Sequence, residues 1–252
     1  MKSGIRTLLG VTLLAGLAGT GLARAEDAPQ ICDVPAYLLT SDSQLPKVAE
    51  AVKKGQPVTI LVVGSRSSSI PSAEASAYPA RLQAALKERL PRVPINLSVE
   101  LQSAKTSEET AATLVKLVEA KKPTLVVWQT GTVDAMRSVD PDDFRSAVDE
   151  GVGALQKAGS DVILMNLQYS PRTETMISAP PYLDNMRLVA QQHDIPLFDR
   201  FAIMRHWNDA GDFDLFSTAH GIDLAKRVHD CLGRALSKFV VDSAHLDAAQ
   251  QN

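Results

Sequence analysis

The sequence predicts a single three-layer α/β domain built on a flavodoxin-like, doubly wound parallel sheet of five strands. Five short apolar runs are continuous rather than alternating, which is typical of strands covered by helices on both faces. Amphipathic segments of helical length separate these runs, as in a parallel sheet joined by crossover helices. The chain has 252 residues, 45% hydrophobic and 22% charged, and is long enough to bury one sizeable core.

Strands and helices alternate from residue 57 onward, after a polar lead-in. The first predicted helix places Leu82, Leu86 and Leu90 on one face, the spacing of a helix packed against a core. Ligands of such sheets bind outside the carboxyl ends of the strands, so the loops there are the candidate site. The predicted strands are residues 57–64, 93–99, 123–131, 161–168 and 195–199. The predicted helices are residues 73–90, 107–120, 141–158, 180–193 and 224–240.

The N-terminus has the pattern of a secretory signal peptide. Lys2 and Arg6 precede a glycine-interrupted apolar run, and small residues up to Ala25 offer a cleavage site. The run is short for a membrane span, which takes about 20 residues; the alternative is an anchor that stays attached. We expect cleavage after Ala25 and a periplasmic or secreted protein with no stable membrane span. The predicted organisation is a signal peptide (1–25), one domain (26–241) and a polar tail (242–252).

Charge and cysteine content narrow the expected partners. The formal net charge of −3, without a basic run beyond the first residues, gives no electrostatic reason to expect nucleic acid. Cys32 and Cys231 lie near opposite ends of the exported chain, where an oxidising compartment favours a disulfide between them. Two buried free thiols are the alternative. The cysteines show no metal or redox spacing, so we expect no metal and no cofactor.

The stretch TILVVGSRSSS, residues 59–69, contains the first candidate site. An apolar strand ends in Gly64 and opens into hydroxyls, the place where an α/β enzyme commonly carries its nucleophile. Ser65 and Ser67 flank Arg66 there. Tyr169 follows a later strand end and is expected to line the same cleft.

Six segments between Cys32 and Leu236 form a shared framework: ILVVGS, YPARLQAALKERLP, LVVWQTGTVDA, DVILMNLQYSPR, PLFDRFAIMRHW and DLFS. Together they resemble the SGNH/GDSL-type hydrolases, most closely an exported bacterial group whose first block reads GSSST. The resemblance implies the SGNH hydrolase fold, although a fold alone does not establish function.

The catalytic pattern of that family fails on this chain. In the family, a serine of the first block attacks an ester carbonyl, an Asp-x-x-His pair supplies the base, and a Gly and an Asn donate to the oxyanion. Arg66 stands at the nucleophile's position and cannot attack a carbonyl. Ser98 matches the oxyanion Gly, and Val133 matches the Asn. The family's DGLH matches HGID here, with His220 in the Asp position and Asp223 in the His position.

The first interpretation is a catalytically degenerate pseudoenzyme that binds rather than cleaves. Arg66, at a strand end and beside a helix N-terminus, would hold an anionic or acylated envelope glycan or lipid in a bidentate grip. Ser65, Ser98 and His220 would line the same cleft.

Two other interpretations stay open. A relocated triad of Ser67, His220 and Asp223, with Arg66 as an oxyanion donor, would make the protein an active esterase or acyl hydrolase. Alternatively, Arg66 pairs with Asp134 or Asp223 and only fills the vacated pocket. Neither the substrate nor the oligomeric state follows from the sequence.

Overall fold

The computed structural model of this protein describes Met1, residues 32–216 and residues 221–246. The predicted signal peptide, apart from Met1, and His220 lie outside the described residues. Contacts within the chain separate residues 1–30 from residues 31–252, and the fold described below belongs to the second unit.

The described residues contain five strands: β1 (Val58–Gly64), β2 (Ile95–Leu101), β3 (Leu125–Gln129), β4 (Asp161–Met165) and β5 (Leu197–Phe198). They form an all-parallel sheet with the order β2-β1-β3-β4-β5, which confirms the predicted α/β class and its flavodoxin-like sheet. Strands β3 and β4 are wholly buried, because helices cover both faces, whereas the edge strand β2 exposes Val99 and Leu101.

Nine α-helices connect and cover these strands in the described part of the chain. They are α1 (Pro46–Lys53), α2 (Tyr78–Arg89), α3 (Ser107–Lys121), α4 (Thr132–Met136), α5 (Pro141–Lys157), α6 (Pro171–Met176), α7 (Pro180–Gln192), α8 (Arg200–Asp209) and α9 (Gly221–Ser243). Helices α3, α5 and α7 pack in a row, and α2 packs along α9.

Local sequence signals fix where several helices begin. Helix α3 opens with a capping box, in which the Thr106 hydroxyl accepts from the Glu109 amide and the Glu109 carboxylate accepts from the Thr106 amide. Helix α5 opens at Asp140, whose carboxylate accepts from the Asp142 amide, and Pro141 suits the first turn.

The two ends of the fold are joined covalently. Cys32 and Cys231 form the predicted disulfide, with 199 residues of sequence separation, and Cys231 is fully buried. Disulfides are typical of proteins in oxidising compartments. Helix α9 runs on to Ser243, and Leu246 is buried against the core, so the packed domain extends past the predicted boundary at residue 241. None of the described helices is both long enough and apolar enough to cross a membrane.

Candidate functional site

The first strand ends in a tight turn that carries the serines. Gly64 closes β1, Ser65 stays extended, and residues 66–68 form a 3-10 turn. A Cβ atom on Gly64 would lie 2.1 Å from the Oγ of Ser68, so a side chain there would displace Ser68. Glycine at this position lets the turn fold back onto the end of the strand.

The buried side-chain amide of Gln129 hydrogen-bonds to the serines of this turn. Gln129 is the last residue of β3, and its Oε1 accepts from the Ser68 hydroxyl at 2.8 Å and from the Tyr78 hydroxyl at 3.2 Å. Its Nε2 donates to the Oγ of Ser67 at 2.9 Å and to the Oγ of Ser65 at 3.2 Å. These last two hydroxyl oxygens lie 3.2 Å apart. We name the five side chains the hydroxyl cluster: Ser65, Ser67, Ser68, Tyr78 and Gln129.

A buried guanidinium lies beneath the hydroxyl cluster. Arg200, the first residue of α8, has an exposed fraction of 0%. Its Nη1 donates to the Oγ of Ser67 at 3.3 Å, its Nη2 donates to the carbonyl of Ser67 at 3.3 Å, and its Cζ lies 5.8 Å from the ring centre of Tyr78. Burial lowers the pKa of Arg200 to about 10, so the side chain is still a cation at neutral pH. No carboxylate among the described residues pairs with it.

Arg66 lies in the exposed part of the same turn. Its side chain is exposed, and within the described ranges it makes no ion pair and no side-chain hydrogen bond. The sequence predicted an α-helix N-terminus beside it. Helix α2 instead begins at Tyr78, because a 3-10 turn at residues 66–68 and another at residues 74–76 fill the connection. The guanidinium therefore projects from a short turn and not from the start of a helix.

The two carboxylates proposed as partners of Arg66 are engaged elsewhere. Asp134 is buried in α4 and accepts from the backbone amide and the hydroxyl of Ser107, at 2.8 and 3.0 Å. Burial raises the pKa of Asp134. Asp223 is exposed in the first turn of α9 and pairs with Lys226 at 3.4 Å. The ion-pair interpretation of Arg66 therefore has no support in the described residues.

A small hole opens beside the hydroxyl cluster, at the carboxyl ends of β1 and β3. Its volume is about 10 Å³, roughly the space of one water-sized group. Val133, at the start of α4, contributes to its wall, and Lys105 reaches it from the loop after β2. The other lining residues are Gly64, Ser65, Gln102, Thr110, Gln129, Thr130, Gly131 and Thr132.

Ser98 is not brought to this hole. It lies in the middle of β2, paired with Leu61 of β1, because the strand continues to Leu101 before it turns. The loop that reaches the hole is residues 102–105. Within it, Ala104 has a φ of +59°, the left-handed conformation that favours glycine.

Tyr169 likewise does not line the hole. It is buried and packs edge-on against Phe201 of α8, with ring centres 5.2 Å apart. Burial raises the pKa of the Tyr169 hydroxyl. This tyrosine belongs to the hydrophobic core and is not part of the wall of the hole.

The structure describes two of the three residues of the relocated triad, Ser67 and Asp223. The Oγ of Ser67 contacts Gln129, Arg200 and the hydroxyl of Ser65, and no imidazole or carboxylate among the described residues hydrogen-bonds to it. His220 lies outside the described residues. Asp223 has a side-chain exposure of 80%, whereas the acid of a catalytic triad is buried against its histidine.

Sequence reasoning missed the three side chains that organise this site. Gln129 was visible as a polar residue that closes a buried strand, a position where an amide needs partners. Tyr78 and Arg200 carry no such signal, because only the tertiary fold brings α2 and α8 to the end of β1. No three His, Cys, Asp or Glu side chains of the described residues cluster in a way that could hold a metal.

A larger cavity of about 1010 Å³ lies elsewhere, near the C-terminal ends of α3 and α5. Its walls include Val115, Lys122 and Gly159, beside the amino ends of the strands. Doubly wound sheets bind their ligands at the opposite, carboxyl edge. We therefore place the candidate site at the hydroxyl cluster despite its smaller volume.

The fold has counterparts among solved structures. An acetylxylan esterase of Geobacillus stearothermophilus, Axe2, in a catalytic mutant form, is 16% identical, with a TM-score of 0.59 over 75% of this chain and 95% of that one. An α/β hydrolase, LAE5, from the metagenome of Lake Arreo is 20% identical, with a TM-score of 0.57 over 75% and 95%. TesA is 22% identical, with a TM-score of 0.55 over 71% and 97%. At these identities the likeness shows the fold alone.

Sequence comparison identifies the family directly. No curated protein sequence matches the chain significantly. The sequence model of the non-GDSL lipase-like family matches residues 31–246, which include every strand and helix of the described fold. This match agrees with the SGNH/GDSL resemblance and with the fold of the solved esterases. The chain therefore belongs to the non-GDSL lipase-like family.

Proposed function

We propose that this protein is an exported, catalytically degenerate member of its family that binds an anionic or acylated envelope glycan or lipid. The observation that carries the proposal is Arg66. Its guanidinium is exposed and has no ion pair in the described region, and it lies in the turn after β1, where the SGNH/GDSL resemblance leads us to expect the nucleophile. A free guanidinium binds carboxylate or phosphate in bidentate fashion.

Hydrolysis by the family's ordinary mechanism is not expected. Arg66 cannot act as a nucleophile, and Val133 replaces a donating side chain with an apolar one beside the hole. Loss of one oxyanion donor alone costs about 10²–10³ in rate. Binding of an anion needs neither a nucleophile nor an oxyanion hole. It needs hydrogen-bond donors and a positive charge, which the serines and Arg66 of the turn supply.

Removing the guanidinium tests this proposal. We would titrate the full chain, by calorimetry, with an oligo-uronate and with a short-chain phosphatidylglycerol. Arg66→Ala is expected to weaken binding of whichever probe binds by about tenfold or more, the loss of a charge-assisted pair. Arg89→Ala is the matched control, because Arg89 is also exposed but lies at the far end of α2. Equal affinity of the two variants would refute the assignment.

A weak esterase is the second candidate, and one observation favours it. The Oγ of Ser67 accepts hydrogen bonds from N–H groups of both Gln129 and Arg200, and such hydrogen bonds stabilise an ionised hydroxyl. The base would be His220, oriented by Asp223. A fluorophosphonate that labels Ser67, with labelling abolished in His220→Ala, would establish this reaction and overturn the binding proposal. An unlabelled protein, under conditions that label an active family member completely, would leave binding as the function.

A further inference from the structure

The hydrogen bonds of the hydroxyl cluster determine which of its side chains act as donors and which as acceptors. The Oε1 of Gln129 accepts from Ser68 and Tyr78, so the Nε2 is left to donate, and it donates to both Ser65 and Ser67. The two outer hydroxyl oxygens therefore act as acceptors toward the protein interior. Each hydroxyl keeps one proton, and at most one of these protons is used in the contact between the pair. At least one O–H donor is left for a ligand.

Arg200 adds a second donor to the same point from within the protein. Its Nη1 also donates to the Oγ of Ser67, and with Gln129 this fills both acceptor positions of that hydroxyl. Ser67 therefore donates in its contact with Ser65, and the Ser65 proton is the one left for a ligand. Its Nε is buried and has no hydrogen-bond partner, and its charge has no carboxylate partner among the described residues. An isolated buried cation is unfavourable unless an anion lies close to it. The fold thus holds a positive charge beneath the hydroxyls with no anion beside it in the described part of the chain.

Two more cations belong to the segments around the hole. Lys105 lines it from the loop after β2, and Arg66 is exposed on the turn, next in sequence to the lining residue Ser65. The buried carboxylate of Asp134 accepts from Ser107. A ligand group at the hole therefore meets the Ser65 hydroxyl and the charge of Lys105, while Arg66 and Arg200 add positive charge on and beneath the same turn.

From this arrangement we infer that the ligand group is a phosphate monoester, a tetrahedral oxyanion with two negative charges, one oxygen of which enters the hole. The inference rests on the proposed binding function and narrows its ligand from anions in general to one class. A carboxylate offers one charge and two oxygens, whereas a phosphate monoester can accept from Arg66 and from the Ser65 hydroxyl at once while neutralising part of the charge of Arg200.

Three phenyl compounds that differ in the charge and geometry of their anionic group test whether the site prefers charge or shape. Phenyl phosphate is doubly charged near neutral pH, phenyl sulfate has the same tetrahedral shape with one charge, and benzoate is a planar monoanion. We expect calorimetry on the full chain to show phenyl phosphate binding about tenfold or more tightly than either monoanion. That preference should shrink as the pH falls below about 6, where the phosphate takes up a proton. Equal affinity of all three probes would overturn the inference and leave anion binding at Arg66 intact.

Gln129→Glu reverses the direction of the hydrogen bonds with almost no change of shape. A carboxylate at this position can only accept, so the hydroxyl protons of Ser65 and Ser67 would turn inward, and the new charge would lie beside Arg200. We expect this variant to fold and to lose phenyl phosphate affinity at least about tenfold. Gln192→Glu is the control, because it adds the same charge at an exposed site in the last turn of α7.

The outcomes of the two experiments are distinct. Unchanged phenyl phosphate affinity in Gln129→Glu would overturn the inference, even if Arg66→Ala still abolished binding. Failure of every anion to bind the wild-type protein would overturn the proposed function itself. The probe comparison needs only the wild-type chain, so an unfolded variant would not prevent the test. If phenyl phosphate binds as expected, glucose 1-phosphate and dihexanoyl phosphatidic acid distinguish a glycan source of the phosphate from a lipid source.

Discussion

A histidine of one helix caps the start of another helix. The Nδ1 of His229, in α9, accepts from the backbone amide of Tyr78, the first residue of α2, at 2.9 Å. Burial, followed by the nearby charge of Arg200, lowers the pKa of His229 to about 3. The ring is therefore neutral, as its role of acceptor requires, and it fixes the tyrosine whose hydroxyl supports Gln129.

This histidine should make the fold sensitive to acid. In the unfolded chain this histidine is protonated as the pH falls below about 6.5, whereas the native ring stays neutral until about pH 3. Its contribution to the free energy of unfolding is therefore complete above about pH 6.5 and is lost as the pH falls toward 3. By about pH 5 the wild type should have lost about 2 kcal/mol of its free energy of unfolding relative to His229→Asn, which keeps an acceptor but does not titrate.

Urea unfolding of both proteins across this pH range measures that difference. The comparison also removes the effect of Asp161, whose pKa burial raises to about 6 and which acts in the opposite direction in both proteins. Its carboxylate accepts from the Val48 amide at 2.9 Å at the start of α1, and it stabilises the fold more as it becomes protonated. Parallel pH curves for the two proteins would show that His229 does not contribute.

At the scale of elements, α2 and α9 approach almost to backbone contact. A Cβ atom on Gly233 of α9 would lie 2.5 Å from the Cβ of Arg81 and 2.8 Å from the amide nitrogen of Leu82. Real Cβ atoms do not come this close, and a backbone atom cannot rotate away. Glycine at this position therefore sets the distance between the two helices that hold Tyr78 and His229.

Gly233→Ala is expected to lower the free energy of unfolding by about 2 kcal/mol, because the helices must separate. Gly153→Ala is the matched control: it is also a helix-interior glycine, and its added Cβ would meet only the Cε1 of His193 at 3.6 Å. That variant should gain up to about 1 kcal/mol from helix propensity. Denaturant midpoints of both variants check the prediction, which fails if they change in the same direction.

The elements that the sequence predicted are those with a regular pattern. Continuous apolar runs marked all five strands, and amphipathic spacing marked α3, α5 and α7. Helix α8 was not predicted, because Arg200, Phe201 and Met204 are all buried, and a segment covered on several sides shows no polar face. Helix α2 starts five residues later than predicted, since Ala77 is extended and Pro79 fits the first turn.

For the candidate site, the sequence identified the turn but not what surrounds it. Ser65 and Ser67 were recognised because they follow a strand end, which is a local signal. Gln129 and Arg200 reach them across 62 and 133 residues of sequence, and such contacts depend on the register of the sheet and the direction of α8. Strand β2 extends two residues past the predicted end at Val99, so Ser98 lies within the strand and not in the loop that follows it.

At the scale of the whole molecule, the disulfide should carry a large part of the stability. A loop of 199 residues gives an entropic gain of about 5 kcal/mol, as an upper value. A variant with Cys32→Ala and Cys231→Ala is expected to unfold at a markedly lower urea concentration. Reduced wild-type protein separates the cross-link from side-chain packing, because it keeps both sulfur atoms. If oxidised and reduced wild type share one midpoint, the cross-link does not stabilise the fold.

The same bond also determines how the domain responds to a mechanical load. Residues 33–230 lie inside a covalent loop that contains the whole sheet and the candidate site. Tension applied between a point before Cys32 and a point after Cys231 would pass from one sulfur to the other and bypass that loop. Such tension could unfold only the part of α9 that follows Cys231 and the segment after that helix. Ser65, Ser67 and Arg66 would carry no load. A domain tethered at both ends would keep the turn at residues 65–68 intact under force.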